Sequence, residues 1–292
     1  MELSVVIPIY HTSKNAARYI PDVISTLKRK FRDFEILFII DNNPIPADVK
    51  DLKTLQNIYK EIKIFPLNKN YGQHFATLSG YYMAKGDHIL CVDEDMTQYV
   101  IEICQNDDYK NYEIYFWHYN KNNMYSSVIR KVFSILFKAL IHRIINFKKN
   151  STFRVITKQL RDKILMDKHI FWNIDVMIFN NTDHIGGCTV DFFDVKDDNS
   201  GYNYKTLINI AFEIAYEHNT IFMNLLLALF PTLLINLIYH NIIFTVNLYL
   251  FIVILITLLF LGIKKMTPTT KIKIQKALLI EKNSRLFKPI PE

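Results

Sequence analysis

Three consecutive acids, Asp93, Glu94 and Asp95, are the residues of this sequence best suited to chemistry. They follow an apolar run typical of a buried strand, and Asp93 and Asp95 occupy alternate positions, which face the same way in an extended chain. Carboxylate oxygens are the ligands that Mg²⁺ and Mn²⁺ favour, and a cation bound to them can bridge a diphosphate. The pattern therefore predicts a metal site at Asp93 and Asp95. A solvated acidic loop is the alternative, and the preceding strand disfavours it.

The segments that lead to these acids alternate between strand and helix patterns. Continuous apolar, β-branched runs predict strands, whereas apolar residues spaced by three and four predict helices. Such alternation is typical of an α/β fold with a mostly parallel sheet and helices on both faces. Strands are predicted at 3–10, 35–40, 62–66, 88–92 and 112–119, and helices at 16–30, 49–62 and 73–85.

The predicted strand ends bring further polar residues to the same edge of the sheet. Ligands of open parallel sheets bind beyond the carboxyl ends of the strands, and Tyr10, Asp41 and Asp93 all stand at such ends. Asp41 precedes a strong turn signal at 42–44, so a turn-forming hydrogen bond from its side chain is an alternative to ligand binding. The two roles are compatible.

Two later segments have the composition of membrane-associated structure. Residues 126–149 predict a basic amphipathic helix, which suits either the membrane interface or an ordinary surface position on the core. Residues 219–263 contain no Asp, Glu, Lys or Arg. This length suffices for two spans of about 20 residues each, with a natural break at His240-Asn241. A buried hairpin of a soluble protein is the alternative, which so long an uncharged run disfavours.

Charge predicts the orientation of this hairpin. Lys264 and Lys265 follow it at once, and the positive-inside rule places such residues in the cytoplasm. Two spans return the chain to its starting side, and residues 1–10 resemble a buried strand rather than an export signal. We therefore expect a two-span membrane protein whose catalytic domain and both termini are cytoplasmic.

Composition limits the classes of partner. The chain is 50% hydrophobic and carries a net charge of +7. Its basic residues cluster beside apolar segments, which favours membrane lipids over nucleic acid as the partner. Three widely spaced cysteines argue against a disulfide framework or a zinc site and fit a reducing compartment.

An ordered set of motifs resembles family 2 glycosyltransferases, and among them the polyprenyl-phosphate enzymes similar to dolichol-phosphate mannosyltransferase. The family pattern N-x-G-Q, A, G, A-x-G-D and then D-x-D is matched from Asn70 to Asp95. Residues 4–10 look like the first strand of the family, and Phe153-Arg154 matches its F-R pair. The resemblance spans most of residues 3–215 and implies a GT-A-type, Rossmann-like fold.

The resemblance implies a role for each matched residue. Asp93 and Asp95 would hold the metal and the diphosphate, and Arg154 would bind a phosphate of the donor or of the acceptor. A surface ion pair is the alternative for Arg154. The nucleotide-sugar donor would be bound by residues at the strand ends and in the loop before the third helix, namely Pro8, Tyr10, Asp41, Asn70, Gly72, Gln73, Asp93 and Glu94.

Domain boundaries follow from the same comparison. We expect a nucleotide-sugar-binding core at 1–125, an interfacial helix and the acceptor side of the GT-A domain at 126–218, two transmembrane helices at 219–263 and a basic cytoplasmic tail at 264–292. The chain departs from the family after the acids, where the usual L-Q-D-P-P is replaced by residues 96–100. This change leaves the identities of donor and acceptor open.

The predicted reaction is an inverting transfer of a sugar from a nucleotide sugar to a membrane polyprenyl phosphate. Such an acceptor is already anionic and needs no general base. A hydroxyl of a lipid-linked or surface polysaccharide is the alternative acceptor; it would need a carboxylate base, for which Asp175 is the candidate. A helix-surface or capping role is the competing interpretation of Asp175. A non-catalytic membrane scaffold is the third hypothesis, and the sugar, the nucleotide and the oligomeric state, a homo-oligomer included, stay open.

Overall fold

The structure, a computed structural model, describes residues 1–10, 14–41, 46–68, 70–119, 151–167 and 174–190, all of which fall in one compact unit. Within these ranges one sheet contains seven strands in the order β3-β2-β1-β4-β6-β5-β7. The strands are β1 (Leu3–Ile9), β2 (Phe34–Ile40), β3 (Ile62–Pro66), β4 (His88–Cys91), β5 (Ile114–Tyr119), β6 (Arg154–Thr157) and β7 (Ile185–Val190).

Helices connect and cover these strands. The α-helices are α1 (Lys14–Lys30), α2 (Pro46–Ile58), α3 (Gln73–Met83), α4 (Lys158–Met166) and α5 (Ile174–Asn181). Two 3₁₀ segments, Glu94–Cys104 and Asp108–Asn111, lie between β4 and β5.

The sheet has a parallel half and a half built around an antiparallel strand. β1 pairs in parallel with β2 on one side and with β4 on the other, and β2 pairs in parallel with β3. β6 runs antiparallel to both of its neighbours, β4 and β5, whereas β5 and β7 are parallel. Most neighbouring pairs are parallel, so the predicted α/β fold with a mostly parallel sheet is confirmed.

The central strands β1 and β2 are buried at every residue. Side chains alternate between the faces of a strand, so complete burial requires cover on both faces of the sheet. Pro8 lies within β1 although it has no N–H to donate. The amide of Val92 donates to the carbonyl of Val6, and Pro8, two residues further on, faces the same way but lies past the end of β4 at Cys91.

Helix α3 lies close against the sheet because of a small residue. A Cβ placed on Gly80 would collide with the side chain of Val6 in β1. The helix therefore approaches the strand more closely at this position than any other residue would allow, which fixes the location of its first turn above the edge of the sheet.

The predicted elements agree with the structure up to β5, with shifts at their ends. The strand at 62–66 is confirmed in its bounds, and those at 3–10, 35–40 and 88–92 are confirmed within one residue. The predicted helix at 49–62 was wrong at both ends, because α2 begins at Pro46 and ends at Ile58 before the turn into β3. The elements from β6 to β7 were not predicted.

The predictions for the membrane concern other parts of the chain. The amphipathic segment 126–149 and the hairpin 219–263 lie outside the described residues. In the part of the chain that the structure describes, no helix combines the length and the apolar character needed to cross a membrane.

Candidate active site

Residues at the carboxyl ends of β1 and β4 are joined by a direct hydrogen bond. The backbone N–H of Tyr10 donates to the Glu94 carboxylate, with 2.7 Å between the nitrogen and Oε2. The parallel pairing of β1 with β4 brings these ends together, as the sequence predicted. Glu94, the middle acid of the three, therefore anchors the chain that leaves β1.

Asp41, at the end of β2, holds the loop that precedes α3. Its side chain is 1% exposed, and its two oxygens accept the backbone N–H groups of Tyr71 and Gly72, each at 2.7 Å. Burial raises the pKa of Asp41 to about 6, although these two hydrogen bonds act in the opposite direction. The turn predicted at 42–44 lies outside the described residues. The hydrogen bonds that the structure describes join Asp41 to the distant loop at 71–72.

The loop held by Asp41 has a conformation that requires glycine. Gly72 has a φ of +96° and a ψ of 157°, a region that is essentially restricted to glycine. Its N–H also lies 3.0 Å from the side-chain oxygen of Asn70. Asn70 and Gly72 therefore shape the turn that delivers Gln73 as the first residue of α3.

Asp93 is half-buried and receives hydrogen bonds from two sides. The Gln73 side-chain amide donates to Oδ1 of Asp93 at 2.6 Å, and the Thr152 side chain is hydrogen-bonded to the same carboxylate. Burial raises the pKa of Asp93 to about 6; the charge of Asp95 raises it further, while the two hydrogen bonds and Arg154 lower it. Asp95, in contrast, is exposed.

The residues that replace the family pattern after the acids are part of the core. The 3₁₀ segment that begins at Glu94 buries Met96 and Thr97, and the Thr97 hydroxyl donates to the Glu94 carbonyl at 3.0 Å. Val100 and Ile103 are buried as well and belong with α1 residues to the hydrophobic core. Met96, Thr97 and Val100 therefore contribute to packing, whereas Gln98 and Tyr99 are partly exposed.

Arg154, the first residue of β6, is buried in an ion pair. Its Nη1 group contacts a carboxylate oxygen of Asp175 in α5, and its Nε–H donates to the hydroxyl of Tyr81 at 3.2 Å. Burial acts to lower the pKa of Arg154, but the charges of Asp175 and Tyr81 outweigh this and raise it. The interpretations of Arg154 and Asp175 as surface residues were wrong, because both side chains are buried. Asp175 lies in the first turn of α5, where a capping role stays a prediction.

The first turn of α3 adds a histidine near this pair. Burial lowers the pKa of His74, and the Asp175 carboxylate and the Arg154 guanidinium act on it in opposite directions. His74 is therefore a neutral neighbour of the ion pair near pH 7.

The described acids suit a cation that takes other ligands from its substrate. Among the residues that the structure describes, no group of three or more His, Cys, Asp or Glu side chains is arranged to hold a metal by itself. Mg²⁺ is commonly bound by one or two carboxylates together with phosphate oxygens and water. The electrostatic repulsion between Asp93 and Asp95 is relieved by a cation, so the donor set fits Mg²⁺ or Mn²⁺ in the presence of a diphosphate.

Residues 4–100 match glycosyl transferase family 2. The matched segment runs from β1 into the 3₁₀ segment after the acids, and it includes Tyr10, Asp41, Gln73 and Asp93. The resemblance to family 2 predicted from the motifs is therefore confirmed.

Curated relatives align with about a third of the chain. An undecaprenyl-phosphate 4-deoxy-4-formamido-L-arabinose transferase from Proteus mirabilis is 29% identical over 96 residues, which cover 32% of this chain and 29% of the relative. The enzyme of the same name from Salmonella choleraesuis is 30% identical over 95 residues, with the same coverage. The alignment thus spans less than a third of the length of these relatives.

Solved structures share the fold. Glucosyl-3-phosphoglycerate synthase from Mycobacterium tuberculosis, in complex with uridine diphosphate, has a TM-score of 0.51 at 11% identity and covers 75% of this chain and 79% of its own. Mannosyl-3-phosphoglycerate synthase from Rubrobacter xylanophilus has a TM-score of 0.50 at 11% identity, with 74% and 72% covered. At this identity the likeness concerns the fold alone.

Two residues of the site were missed by the sequence analysis. Thr152 contacts Asp93 and Tyr81 contacts Arg154, but neither belongs to a motif. Thr152 directly precedes the Phe153-Arg154 pair, and Tyr81 lies two turns into α3, on the face of Gln73. A search for polar residues at four-residue spacing along α3 would have found Tyr81.

Proposed function

We propose that this chain is an inverting, metal-dependent glycosyltransferase that moves a sugar from a nucleotide sugar to a membrane polyprenyl phosphate. The observation that carries the proposal is the match of residues 4–100 to family 2, with Asp93, Glu94 and Asp95 at the carboxyl edge of the parallel strands. Two curated relatives are named as undecaprenyl-phosphate sugar transferases, which supports a lipid phosphate as acceptor.

In the proposed reaction an oxygen of the acceptor phosphate attacks the anomeric carbon of the sugar. The bond between that carbon and the diphosphate oxygen breaks, and the nucleoside diphosphate leaves on the opposite face, so the anomeric configuration inverts. Asp93 and Asp95 would hold Mg²⁺ or Mn²⁺, which when bound supplies positive charge beside the leaving diphosphate.

The donor would occupy the edge of the sheet at β1 and β2. Pro8, Tyr10 and Asp41 stand at the ends of these strands and would line the pocket of the nucleotide base. Asn70 and Gly72 would act through the shape of the loop, whose backbone N–H groups Asp41 already accepts.

Arg154 would bring positive charge to the phosphates from the interior. Its guanidinium carries more donors than its two bonds to Tyr81 and Asp175 use. A phosphate of the donor or of the acceptor is the group that it would attract.

The buried ion pair of Asp175 with Arg154 favours a phosphate acceptor over a hydroxyl acceptor. A hydroxyl acceptor needs a carboxylate base within hydrogen-bond reach, and Asp175 is buried in its ion pair with Arg154. A polyprenyl phosphate requires no such base because it is anionic at neutral pH.

We also propose that residues 219–263 anchor the enzyme through two spans, with the catalytic domain and both termini in the cytoplasm. This length of sequence without Asp, Glu, Lys or Arg supports the anchor. Residues 126–149 would lie at the lipid headgroups, close to the acceptor.

The proposal is tested by assaying the purified full chain in detergent with a panel of nucleotide sugars and Mg²⁺ or Mn²⁺. Undecaprenyl phosphate and a glycan primer are offered in separate reactions. Glycosylated lipid phosphate, formed with the metal and lost on addition of EDTA, is the expected result. Product on the glycan primer alone would replace the acceptor, and an absence of both turnover and nucleotide binding would leave the scaffold hypothesis.

A further inference from the structure

A ladder of polar contacts connects the interior of the molecule to Asp93. β4 and β6 pair antiparallel with Cys91 opposite Arg154, so two residues further along Asp93 stands opposite Thr152, on the same face. Helix α3 covers this face with residues at four-residue spacing, which lie above one another on a helix. Innermost, the Tyr81 hydroxyl accepts a hydrogen bond from Arg154. One turn nearer the edge, the Thr77 hydroxyl lies 4.0 Å from the Cys91 sulfur. At the edge, the Gln73 amide donates to Asp93.

At the outer end of this series of contacts, the Asp93 carboxylate is hydrogen-bonded from two sides. Gln73 donates from the first turn of α3, with 2.6 Å between Nε2 and Oδ1 of Asp93. Thr152 is bonded to the same carboxylate from the neighbouring strand. Two contacts from two different elements restrict the rotation of the carboxylate about its bond to Cβ, which a single contact would leave free.

The neighbouring acid is in a different situation. Asp95 is exposed, whereas Asp93 is half-buried between α3 and β6. Of the two predicted metal ligands, Asp93 is therefore the more buried one.

We propose that Gln73 and Thr152 are positioning residues, which orient the Asp93 carboxylate for the complex of a divalent cation with a nucleoside diphosphate. The inference rests on the proposed function, because it takes Asp93 as a ligand of that cation. In this inference Gln73 orients Asp93 instead of binding the donor directly. Thr152, which belongs to no motif, has the same role. Removal of groups that orient a metal ligand typically weakens metal binding by about 10- to 100-fold.

The test measures binding of Mn²⁺ by electron paramagnetic resonance, with UDP and GDP as separate probes, on the purified full chain. Thr152→Val removes the hydroxyl and keeps the shape of the side chain, and Gln73→Met removes the amide. Each is expected to weaken Mn²⁺ binding by about tenfold or more. Thr152→Ser keeps the hydroxyl and is expected to restore the affinity of the wild type.

Thr77→Val is the matched control. Thr77 lies on the same face of α3, one turn further into the molecule, and is 3% exposed. It contacts Cys91 and the carbonyl of Gln73 but is not bonded to Asp93. We expect its Mn²⁺ affinity to equal that of the wild type. Thermal unfolding and circular dichroism of each variant separate a loss of fold from a loss of orientation.

The outcomes separate the positioning roles of Gln73 and Thr152 from the proposed function. Unchanged Mn²⁺ affinity in folded Thr152→Val and Gln73→Met, together with a loss in Asp93→Asn, overturns the positioning roles and leaves the proposed function intact. A loss of equal size in Thr77→Val also overturns them, because the effect then belongs to packing. A folded wild-type chain that binds neither Mn²⁺–UDP nor Mn²⁺–GDP overturns both proposals.

Discussion

The two halves of the sheet contribute to the site from opposite ends of their strands. In the parallel half, Asp41 and Asp93 follow the last residues of β2 and β4. In the other half, Thr152 and Arg154 stand just before and at the start of β6. Because β6 runs antiparallel to β4, its amino end lies at the edge where the parallel strands have their carboxyl ends.

The two halves also differ in the groups that stabilise their charged side chains. Acids of the parallel half that face the edge have raised pKa values, of about 6 for both Asp41 and Asp93, and hydrogen bonds from neighbouring groups stabilise their ionised forms. Arg154 is neutralised within the protein by Asp175. The acids of the parallel half are thus held mainly by hydrogen bonds, whereas the charge of the antiparallel strand is balanced by an ion pair.

Asp95→Asn should produce the largest effect on activity, because it removes an exposed carboxylate from the proposed cation. Charge stabilisation by a metal is worth several kcal/mol, so turnover should fall by at least about 10³-fold. Steady-state rates and thermal unfolding are measured in parallel, and the unfolding temperature should be close to that of the wild type. Activity that persists in folded Asp95→Asn would contradict the metal site.

Asp175→Asn should have the largest effect on stability, because it leaves the buried Arg154 charge unpaired. Breaking a buried ion pair from one side costs about 3–5 kcal/mol. The double variant Arg154→Met/Asp175→Leu removes both charges and should be more stable than Asp175→Asn alone. Free energies of unfolding from denaturant titration decide this ordering.

Lys163→Met is the control for that comparison. It breaks the partly exposed pair of Lys163 with Glu113, and such pairs contribute about 0–1 kcal/mol. Equal losses in the two single variants would mean that the Arg154–Asp175 pair is no more important to the fold than a surface pair.

Gly72→Ala should have an intermediate effect at the edge of the parallel half. A Cβ at this position meets no other atom within 4 Å, but the backbone φ is +96°, so the cost of about 1–3 kcal/mol is conformational. Relaxation of that strain would move the N–H that Asp41 accepts. We expect lower stability together with weaker nucleotide binding by calorimetry; a loss of stability alone would show that the loop does not shape the donor site.

Asp41 should contribute a pH dependence of stability, which needs no substitution to be seen. Its folded pKa of about 6 lies above the ordinary pKa of an aspartate, 3.8, so between these values the folded state binds a proton that the unfolded state has released. Stability should therefore fall as pH rises from 4 to 6, by up to about 1.4 kcal/mol per pH unit. Asp93, shifted in the same direction, adds to the slope.

Asp41→Asn separates the contribution of Asp41 to this pH dependence from that of Asp93. The asparagine has no proton to lose in this range, so the fall in stability between pH 4 and pH 6 should be shallower than in the wild type. Denaturant midpoints at several pH values give the slopes, and identical slopes would contradict the shifted pKa of Asp41.

The parallel half was predictable because its signals are local. Each of its strands is a short apolar run, and each helix between them has apolar spacing of three and four. The 3₁₀ segment that begins at Glu94 was not predicted, although its buried residues Met96, Val100 and Ile103 are spaced by four and three as in a helix. β6 and β7 were missed because β6 has only four residues and β7, IGGCTV, carries two glycines.

The site was predictable as a set of residues and not as a set of contacts. The sequence by itself determined that carboxylates end two strands and that an arginine stands in a family-like pair, since residue types and strand ends are properties of short segments. Only the tertiary structure decided that Gln73 and Thr152 hold Asp93 and that Asp175 neutralises Arg154. Those contacts depend on the register of β4 against β6 and on the approach of α3 to the sheet, which join residues far apart in the chain.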